Sequence, residues 1–198
     1  ASQLALNKAA SKIFFQKSQI PTPAWNFINT ACRNKWELDL DFPVFVKPNS
    51  GGSSLGVTLV SNSDELKKTL DKLFTWSQDI LVESCIKGQE ITCAVLDKTA
   101  LPPILIHPLQ DAQFFDYKSK YVPEAAEEIC PAPISENLNK QIQYLALKSH
   151  NILGLKGYSR TDFIVKDEKA FALEVNTLPG MTPNSLLPKA ALAAGLPF

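Results

Sequence analysis

The sequence feature that most restricts what this chain can form is an apolar stretch near its end, LEVNTLPGMTPNS at residues 173–185. Glu174 and Asn176 stand two residues apart in it, so a strand would direct both side chains to the same face. A carboxylate and an amide oxygen on one face are ligands that hard divalent cations prefer. Pro179 and Gly180 then favour a turn. The stretch therefore predicts a strand that carries part of a metal site.

A second strand with the same spacing is predicted just upstream, at residues 158–165, and it carries Arg160 and Asp162. If the two strands are neighbours in one sheet, Asp162, Glu174 and Asn176 lie together. Arg160 then lies beside them. Any single pair of this kind is more often part of the solvated face of a sheet. Three oxygen ligands on adjacent strands favour a metal site, and the solvated face stays open as the alternative.

A loop rich in glycine and serine at residues 49–56 follows a predicted strand at 42–48 that carries Lys47 near its end. Backbone N–H groups and hydroxyls in such a loop can turn toward an anion, and the lysine would add a positive charge. The loop is not a Walker A motif, because Val57 stands where that motif requires lysine. The dinucleotide-binding fingerprint also fails, since no helix follows. A phosphate loop and a plain flexible hairpin both remain open.

Charge and apolar patterning exclude several classes of function. The chain has 20 basic and 20 acidic residues, and without a basic run we expect no nucleic-acid partner. The longest apolar stretches are far too short to span a membrane, so we expect no membrane partner either. The four cysteines show neither a CxxC pair nor a disulfide spacing. This pattern favours reduced thiols in a cytoplasmic protein and argues against zinc.

The order of the predicted elements indicates an α+β fold. Helices are predicted at residues 4–18, after the capping residues 62–65, after Ser135 and from Ser185. Three strands follow one another without a helix between them, at residues 80–83, 90–96 and 101–107, which argues against a doubly wound parallel sheet. Residues 108–134 are a long connection without periodicity. Its lysines suit a lid that closes over phosphates, and a surface excursion pinned by its aromatic side chains is the alternative.

Taken together, these features resemble the ATP-grasp fold and, within it, the D-alanine–D-alanine ligases of bacterial cell-wall synthesis. The resemblance covers essentially the whole chain. The matching motifs are VKP at 46–48, GSSLGV at 52–57, VE at 82–83, GQE at 88–90, FDYKSKY at 115–121, RTDF at 160–163 and EVNTLPGMT at 174–182. The resemblance implies two α+β lobes with ATP between them, a small central lobe at residues 1–83 and a large C-terminal lobe with the metal site at 84–198.

The resemblance also implies roles for individual residues. ATP would be bound by Lys8, Lys47, Ser53, Ser54, Glu83, Ser84, Cys85, Ile86, Glu90, Phe114 and Lys120. Two Mg²⁺ (or Mn²⁺) ions would be held by Asp162, Glu174 and Asn176. The substrates would be bound by Tyr117, Tyr121, Arg160, Gly180, Ser185 and Leu186. Catalysis would depend on Arg160, Ser53, Tyr121, Lys120 and Gly180.

The activity that the resemblance implies is ADP-forming ligation of two D-alanines through a D-alanyl phosphate, for peptidoglycan precursors. Metals, lysines and an arginine suit this chemistry because it brings several anions together, and a lid would keep water from the acyl phosphate. The alternatives are another ATP-grasp ligase, such as one that joins D-alanine to D-lactate, or a nucleotide-binding module without catalysis. The presence of Arg160 together with all three metal ligands speaks against the module.

Two departures from the family limit the resemblance. Asn7 stands where the family usually has aspartate. The family also begins with a further domain of roughly a hundred residues. That domain carries a glutamate that binds the ammonium group of the first D-alanine, and it has no counterpart in this sequence. We therefore expect a fragment whose partner is the N-terminal domain of the same protein, and the resemblance allows a homodimer of the full-length protein.

The loop at residues 115–121 predicts which second substrate the full-length protein uses. Relatives that use D-lactate have a different loop with a histidine, whose charge repels the ammonium form of D-alanine. Neither His107 nor His150 lies in this loop. We therefore expect D-alanyl-D-alanine as the product and poor use of D-lactate, even at acidic pH. Competition between both acceptors over a range of pH measures the product ratio, and mostly D-alanyl-D-lactate near neutral pH would contradict this prediction.

Overall fold

The computed structural model of the protein describes residues 1–32, 36–52, 55–108 and 126–197, and these residues form two antiparallel sheets. The consecutive antiparallel strands confirm the predicted α+β class. Within the described residues, no helix has both the length and the apolar character that a membrane span requires. All four cysteines are free.

The first sheet is formed by residues between 25 and 84. Its strands are β1 (Trp25–Asn29), β2 (Val44–Pro48), β3 (Thr58–Val60) and β4 (Asp79–Ser84). They are arranged in the order β1-β4-β2-β3, and a short 3-10 helix (Thr30–Cys32) follows β1. Helix α3 (Ser63–Leu73) packs its buried leucines against Val44 and Val46 on one face of this sheet. The opposite face carries Phe45 and Lys47 because side chains alternate along β2.

The second sheet is larger and follows directly in the chain. Its strands are β5 (Gln89–Leu96), β6 (Thr99–Ala100), β7 (Ile104–Pro108), β8 (Ala126–Ile129), β9 (Tyr158–Lys166) and β10 (Lys169–Asn176). The order is β10-β9-β5-β7-β8, with β6 paired to β5. Helix α4 (Glu136–Ile152) packs with Cys93, Val95 and Phe163 on one face. Helix α5 (Leu186–Ala193) packs near Ala94 on the other face.

Helix capping agrees with the sequence at two of the predicted starts. The side chain of Asn62 accepts a hydrogen bond from the backbone of Glu65, and Ser135 accepts one from Leu138. Asn, Asp, Ser and Thr are favoured here because their oxygens satisfy the free N–H groups of the first turn. Helix α5 also starts directly after Ser185, as predicted, although Ser185 makes no side-chain cap bond.

The predicted helix at residues 4–18 is two helices, α1 (Ser2–Leu6) and α2 (Lys8–Lys17). Asn7 interrupts them with an extended backbone, and its side chain accepts a hydrogen bond from the Ala10 N–H. Asn7 also forms an isolated β-bridge with Ser50. Apolar periodicity continues through this position, so the break comes from the N-cap and the bridge. Phe15 and other residues of this segment belong to the core of the second sheet.

Strand β8 lies inside the connection at 108–134 that was predicted to lack regular structure, because β8 is held by pairing with β7 and not by its own apolar pattern. Residues 109–125 of that connection lie outside the described residues. The division into lobes at 1–83 and 84–198 stays a prediction.

Gly88, between the two sheets, is so close to β9 that a Cβ atom there would lie 2.1 Å from the carbonyl oxygen of Val165. The clashing oxygen of Val165 belongs to the backbone and cannot move aside as a flexible side chain could. We therefore expect Gly88→Ala to lower the free energy of unfolding by roughly 1–3 kcal/mol. Gly52→Ala is the matched control, since a Cβ atom at Gly52 would meet nothing within 4 Å. Its effect should stay within about 0.5 kcal/mol. Urea unfolding measures both, and equal stabilities would contradict the close approach.

Candidate active site

A cavity of about 880 Å³ lies between the two sheets. Cavities of roughly 300–1,000 Å³ are typical of small-molecule and cofactor sites. Of the predicted site residues, those that line it are Lys8, Lys47, Glu83, Ser84, Cys85, Ile86, Glu90, Asp162 and Glu174. Arg160, Asn176, Gly180, Ser185 and Leu186 are described but are not part of this lining. Ser53, Ser54, Phe114, Tyr117, Lys120 and Tyr121 lie outside the described residues.

The floor of the cavity is apolar and was not predicted from the sequence. It consists of Phe45, Leu59, Ile106, Ile164 and Leu173, which come from five strands of the two sheets. The alternation of side chains along β2 and β9 could have predicted this floor. One face of each strand packs against helices, and the other face carries the apolar residue that lines the cavity. A surface of this kind suits the flat ring of a nucleotide base. His107 also lines the cavity.

Glu83 is the most buried charged group of the cavity wall, with a relative exposure of 2%. Lys47 Nζ donates to its Oε1 at 2.9 Å, and Lys12 Nζ lies 2.5 Å from its Oε2. Burial alone would raise the pKa of Glu83, but the positive charges of Lys47 and Lys12 outweigh it and hold the pKa below its ordinary value. The carboxylate is therefore ionised and held at both oxygens.

Lys8 joins the glycine-rich loop to the predicted metal ligands. Its Nζ donates to the carbonyl oxygen of Gly51 at 2.7 Å and lies 3.5 Å from Glu174 Oε2. Asn49 fixes the start of α2 against the loop, because its Oδ1 accepts from the Ala9 N–H at 2.8 Å. Burial lowers the pKa of Lys8, and Glu174 partly counteracts this. Lys8 and Lys47 thus bring two ammonium groups to the cavity, as a phosphate site requires.

The register of β9 and β10 places the four predicted polar side chains on one face. Asp162 is opposite Glu174, and Arg160 is opposite Asn176. A β-bulge between Ala172 and Glu174 shifts this register by one residue. Without the extra residue, Glu174 would turn to the other face of the sheet. With it, the neighbouring side chains of Leu173 and Glu174 both line the cavity.

Asp162 is buried and Arg160 is half-buried, and they form a pair in which both carboxylate oxygens of Asp162 are used. Arg160 Nε donates to Oδ1 at 2.8 Å and Nη2 donates to Oδ2 at 2.9 Å. Thr92 Oγ1 also donates to Oδ1, at 2.6 Å. Burial alone would lower the pKa of Arg160, but Asp162 outweighs burial and raises it. Arg160 therefore keeps a full positive charge and a fixed orientation.

The donor set fits a hard divalent cation. Magnesium is usually held by one or two carboxylates, while substrate phosphates and water complete its coordination. Asp162, Glu174 and Asn176 offer only oxygen ligands of this kind. Among the residues that the structure describes, no group of three or more His, Cys, Asp and Glu side chains is arranged to hold a metal. A cation held by Asp162, Glu174 and Asn176 would therefore need further oxygens, such as those of a bound phosphate.

Gly180 and Ser185 follow the predicted metal ligands in the chain and meet in the turn that precedes α5. A Cβ atom at position 180 would lie 2.7 Å from Ser185 Oγ, so only glycine allows this approach without a shift. Ser185 Oγ accepts from the Thr182 N–H at 3.1 Å. Leu186 then begins α5 and packs at the edge of an apolar cluster with Ala94. The turn therefore presents a hydroxyl and the first N–H groups of a helix, which suit a carboxylate.

The chain is similar to D-alanine–D-alanine ligases. The family model described as D-ala D-ala ligase C-terminus matches residues 14–198. The D-alanine–D-alanine ligase of Maridesulfovibrio salexigens is 51% identical over 198 residues, covering 100% of this chain and 66% of that protein. The enzyme of the same name from Nitratidesulfovibrio vulgaris strain Hildenborough is 50% identical, covering 100% of this chain and 65% of that protein. The chain thus spans slightly less than two thirds of these relatives.

Solved structures with the same fold include two ligases. The D-alanine–D-alanine ligase from Bacillus anthracis complexed with ATP is 35% identical, with a TM-score of 0.80, covering 98% of this chain and 62% of that one. The VanG D-Ala:D-Ser ligase from Enterococcus faecalis is 30% identical, with a TM-score of 0.86, covering 98% of this chain and 58% of that one.

Replacing Glu83 with glutamine should destabilise the fold, because Lys47 and Lys12 would lose the negative charge that pairs with them. Removing one member of a buried ion pair costs about 3–5 kcal/mol, so we expect a loss of that size at pH 7. Because the folded-state pKa of Glu83 is depressed, its ionisation stabilises the fold above the ordinary value of 4.5 and ceases to do so as pH falls through the folded-state pKa. The difference between wild type and Glu83→Gln should therefore shrink at acidic pH.

Urea unfolding at pH 7 and at several values below pH 4.5 measures this difference. Glu127→Gln is the control, since Glu127 is exposed on β8 and its replacement should change stability by no more than about 0.5 kcal/mol. A Glu83→Gln variant as stable as wild type at pH 7 would contradict the role of the buried pair.

Proposed function

Because the chain belongs to the D-alanine–D-alanine ligase family, we propose that it is the ATP- and metal-binding part of an enzyme that joins two D-alanines. The observation that carries this proposal is the shared face of Arg160, Asp162, Glu174 and Asn176 beside a cavity that Lys8 also lines. A family relative without this set would lack the charges that the reaction has to neutralise. The product, D-alanyl-D-alanine, serves peptidoglycan precursor synthesis in this family.

The nucleotide would lie with its base on the apolar floor, along the segment from Glu83 to Ile86. Glu90, at the start of β5, would accept hydrogen bonds from the ribose hydroxyls. Lys8 and Lys47 would contact the phosphates, because both ammonium groups reach the cavity close to the glycine-rich loop. ATP, when bound, supplies the phosphoryl group that activates the first D-alanine carboxylate. Magnesium, when bound, neutralises the phosphate oxygens.

The reaction then has two steps. A carboxylate oxygen of the first D-alanine bonds to the γ-phosphorus, and the bond from that phosphorus to ADP breaks. The amine of the second D-alanine, after losing a proton, attacks the acyl carbon, and inorganic phosphate leaves. Arg160 stays charged throughout because Asp162 raises its pKa, so it can stabilise the oxyanion that forms at this carbon. The Gly180 N–H faces the same oxyanion in this proposal.

The second D-alanine would place its carboxylate at Ser185 and Leu186. This end of α5 offers free N–H groups, and Ser185 Oγ is already oriented by Thr182. We further propose that the remainder of the full-length protein supplies the ammonium site for the first D-alanine, and that residues 1–83 and 84–198 act as two lobes. A cytoplasmic location follows from the use of ATP.

Ligation of D-alanine to D-serine is the second candidate. The VanG D-Ala:D-Ser ligase has the same fold over 98% of this chain with a TM-score of 0.86. The two acceptors differ only in a hydroxyl group, and both attack through an amine. Product analysis with equal concentrations of D-alanine and D-serine distinguishes the two candidates, because a D-serine ligase would form mainly D-alanyl-D-serine.

Replacing Glu174 with glutamine tests the proposed function in the full-length protein. The amide keeps the size of the side chain but removes a negative charge from the metal site, so we expect the fold to persist. Ligation should fall at least about 100-fold, which corresponds to roughly 3 kcal/mol of activation free energy. ADP release with D-alanine at saturating magnesium measures it. Glu136→Gln, an exposed change on α4, should retain wild-type turnover, and near-normal turnover of Glu174→Gln would contradict the metal assignment.

A further inference from the structure

Lys12 is completely buried in the middle of α2, and the proposed reaction assigns it no role. Its relative exposure is 0%. Its Nζ lies 2.5 Å from Glu83 Oε2 and donates to Thr22 Oγ1 at 2.6 Å. Burial lowers its pKa to about 8, even though Glu83 favours the charged form. Lys12 is therefore mostly protonated at neutral pH.

The contacts of Lys12 connect the two sheets across the base of the cavity. Glu83 belongs to β4 of the first sheet. Thr22 donates to the carbonyl oxygen of Ala172 on β10 at 2.7 Å, and the Ala172 N–H donates to Pro21 at 2.8 Å. Ala172 is the last residue before the bulge that turns Glu174 into the cavity. One ammonium group thus ties the carboxylate that holds Lys47 to the strand that carries the metal ligands.

Lys12 also sets the charge balance beside the predicted phosphate site. Lys47, Glu83 and Lys12 together carry one net positive charge. Each carboxylate oxygen of Glu83 has its own lysine, so Lys47 is held at only one oxygen. Without Lys12, the pair of Glu83 and Lys47 would be neutral, and both oxygens would be available to Lys47. Lys47 would then be drawn toward the carboxylate and away from an anion.

We propose that Lys12 is a positioning residue for binding of the nucleotide triphosphate, acting through Glu83 on Lys47 and through Thr22 on the strand of the metal ligands. This inference rests on the proposed function, because it takes ATP as the ligand. It predicts that the effect of Lys12 is specific to the phosphates. Binding of adenosine, which has the base and ribose but no phosphate, should not depend on it.

The test compares the binding of ATP with magnesium and of adenosine by isothermal titration calorimetry, using the full-length protein. Lys12→Met keeps the length of the side chain and removes the charge. We expect it to weaken ATP binding about tenfold, as expected for loss of an interaction with a charged group, and to leave adenosine binding within about twofold. Lys17→Met, an exposed lysine on the same helix, is the control and should bind both ligands like wild type.

A double variant separates positioning from general support of the fold. In Lys12→Met/Glu83→Gln an uncharged amide replaces the buried carboxylate as well. The three positions together then carry one net positive charge again, that of Lys47. Because Glu83 itself belongs to the predicted ATP-binding set, we expect a partial recovery, in which the double variant binds ATP more tightly than Lys12→Met does. A merely structural role predicts a further loss with the second change, or an equal loss for ATP and adenosine. If Lys12→Met fails to fold, as thermal melting would reveal, the double variant decides.

The outcomes separate this inference from the proposed function. Wild-type protein that binds neither ATP nor adenosine would contradict the proposed function. Wild-type binding of ATP with no change in Lys12→Met would overturn the role of Lys12 and leave the proposed function intact. Weaker ATP binding in Lys12→Met that is not recovered in the folded double variant would also overturn it. Selective weakening with recovery supports it.

Discussion

The buried carboxylate of Glu83 is the interaction on which the rest of the site depends. An ionised carboxylate that is removed from water is costly unless each oxygen has a charged or hydrogen-bonded partner. Lys47 comes from the neighbouring strand and Lys12 comes from a helix that belongs to the core of the other sheet. Meeting this one requirement brings β2, β4 and α2 together. Through Thr22 it also extends to β10, so the cavity is bounded by elements that the charge network holds.

The second constraint is the bulge in β10, which gives this strand two functions in adjacent residues. A regular strand alternates its faces, so Leu173 and Glu174 could not both reach the cavity. The extra residue allows one to contribute to the apolar floor and the next to face Asp162. The bulge therefore brings an apolar side chain and a carboxylate from adjacent residues to the same side of the strand.

Local patterns in the sequence were sufficient for much of the fold. Asn62 and Ser135 were predicted as helix starts because a cap acts within three or four residues of the chain. The two-residue spacing of Glu174 and Asn176 placed them on one face, because the alternation of side chains along a strand is also a local property of the chain. The patterns failed where a distant partner decides. Asn7 breaks a periodic helix because it bridges to Ser50, and β8 exists because it pairs with β7.

The amino-acid sequence by itself determined the α+β class and the family resemblance, and it predicted the polar side chains of the site, because residue type and short spacing specify charge, oxygen ligands and strand faces. Only the tertiary structure decided that Lys12 is a buried partner of Glu83 and is not exposed like Lys17 on the same helix. The tertiary structure also decided the bulge at Leu173, which shifts the register of β10 against β9 by one residue. The contact of Lys12 with Glu83 joins residues far apart in the chain, and the bulge depends on how β10 pairs with β9. A local pattern contains no information about which group of another element will share a buried position.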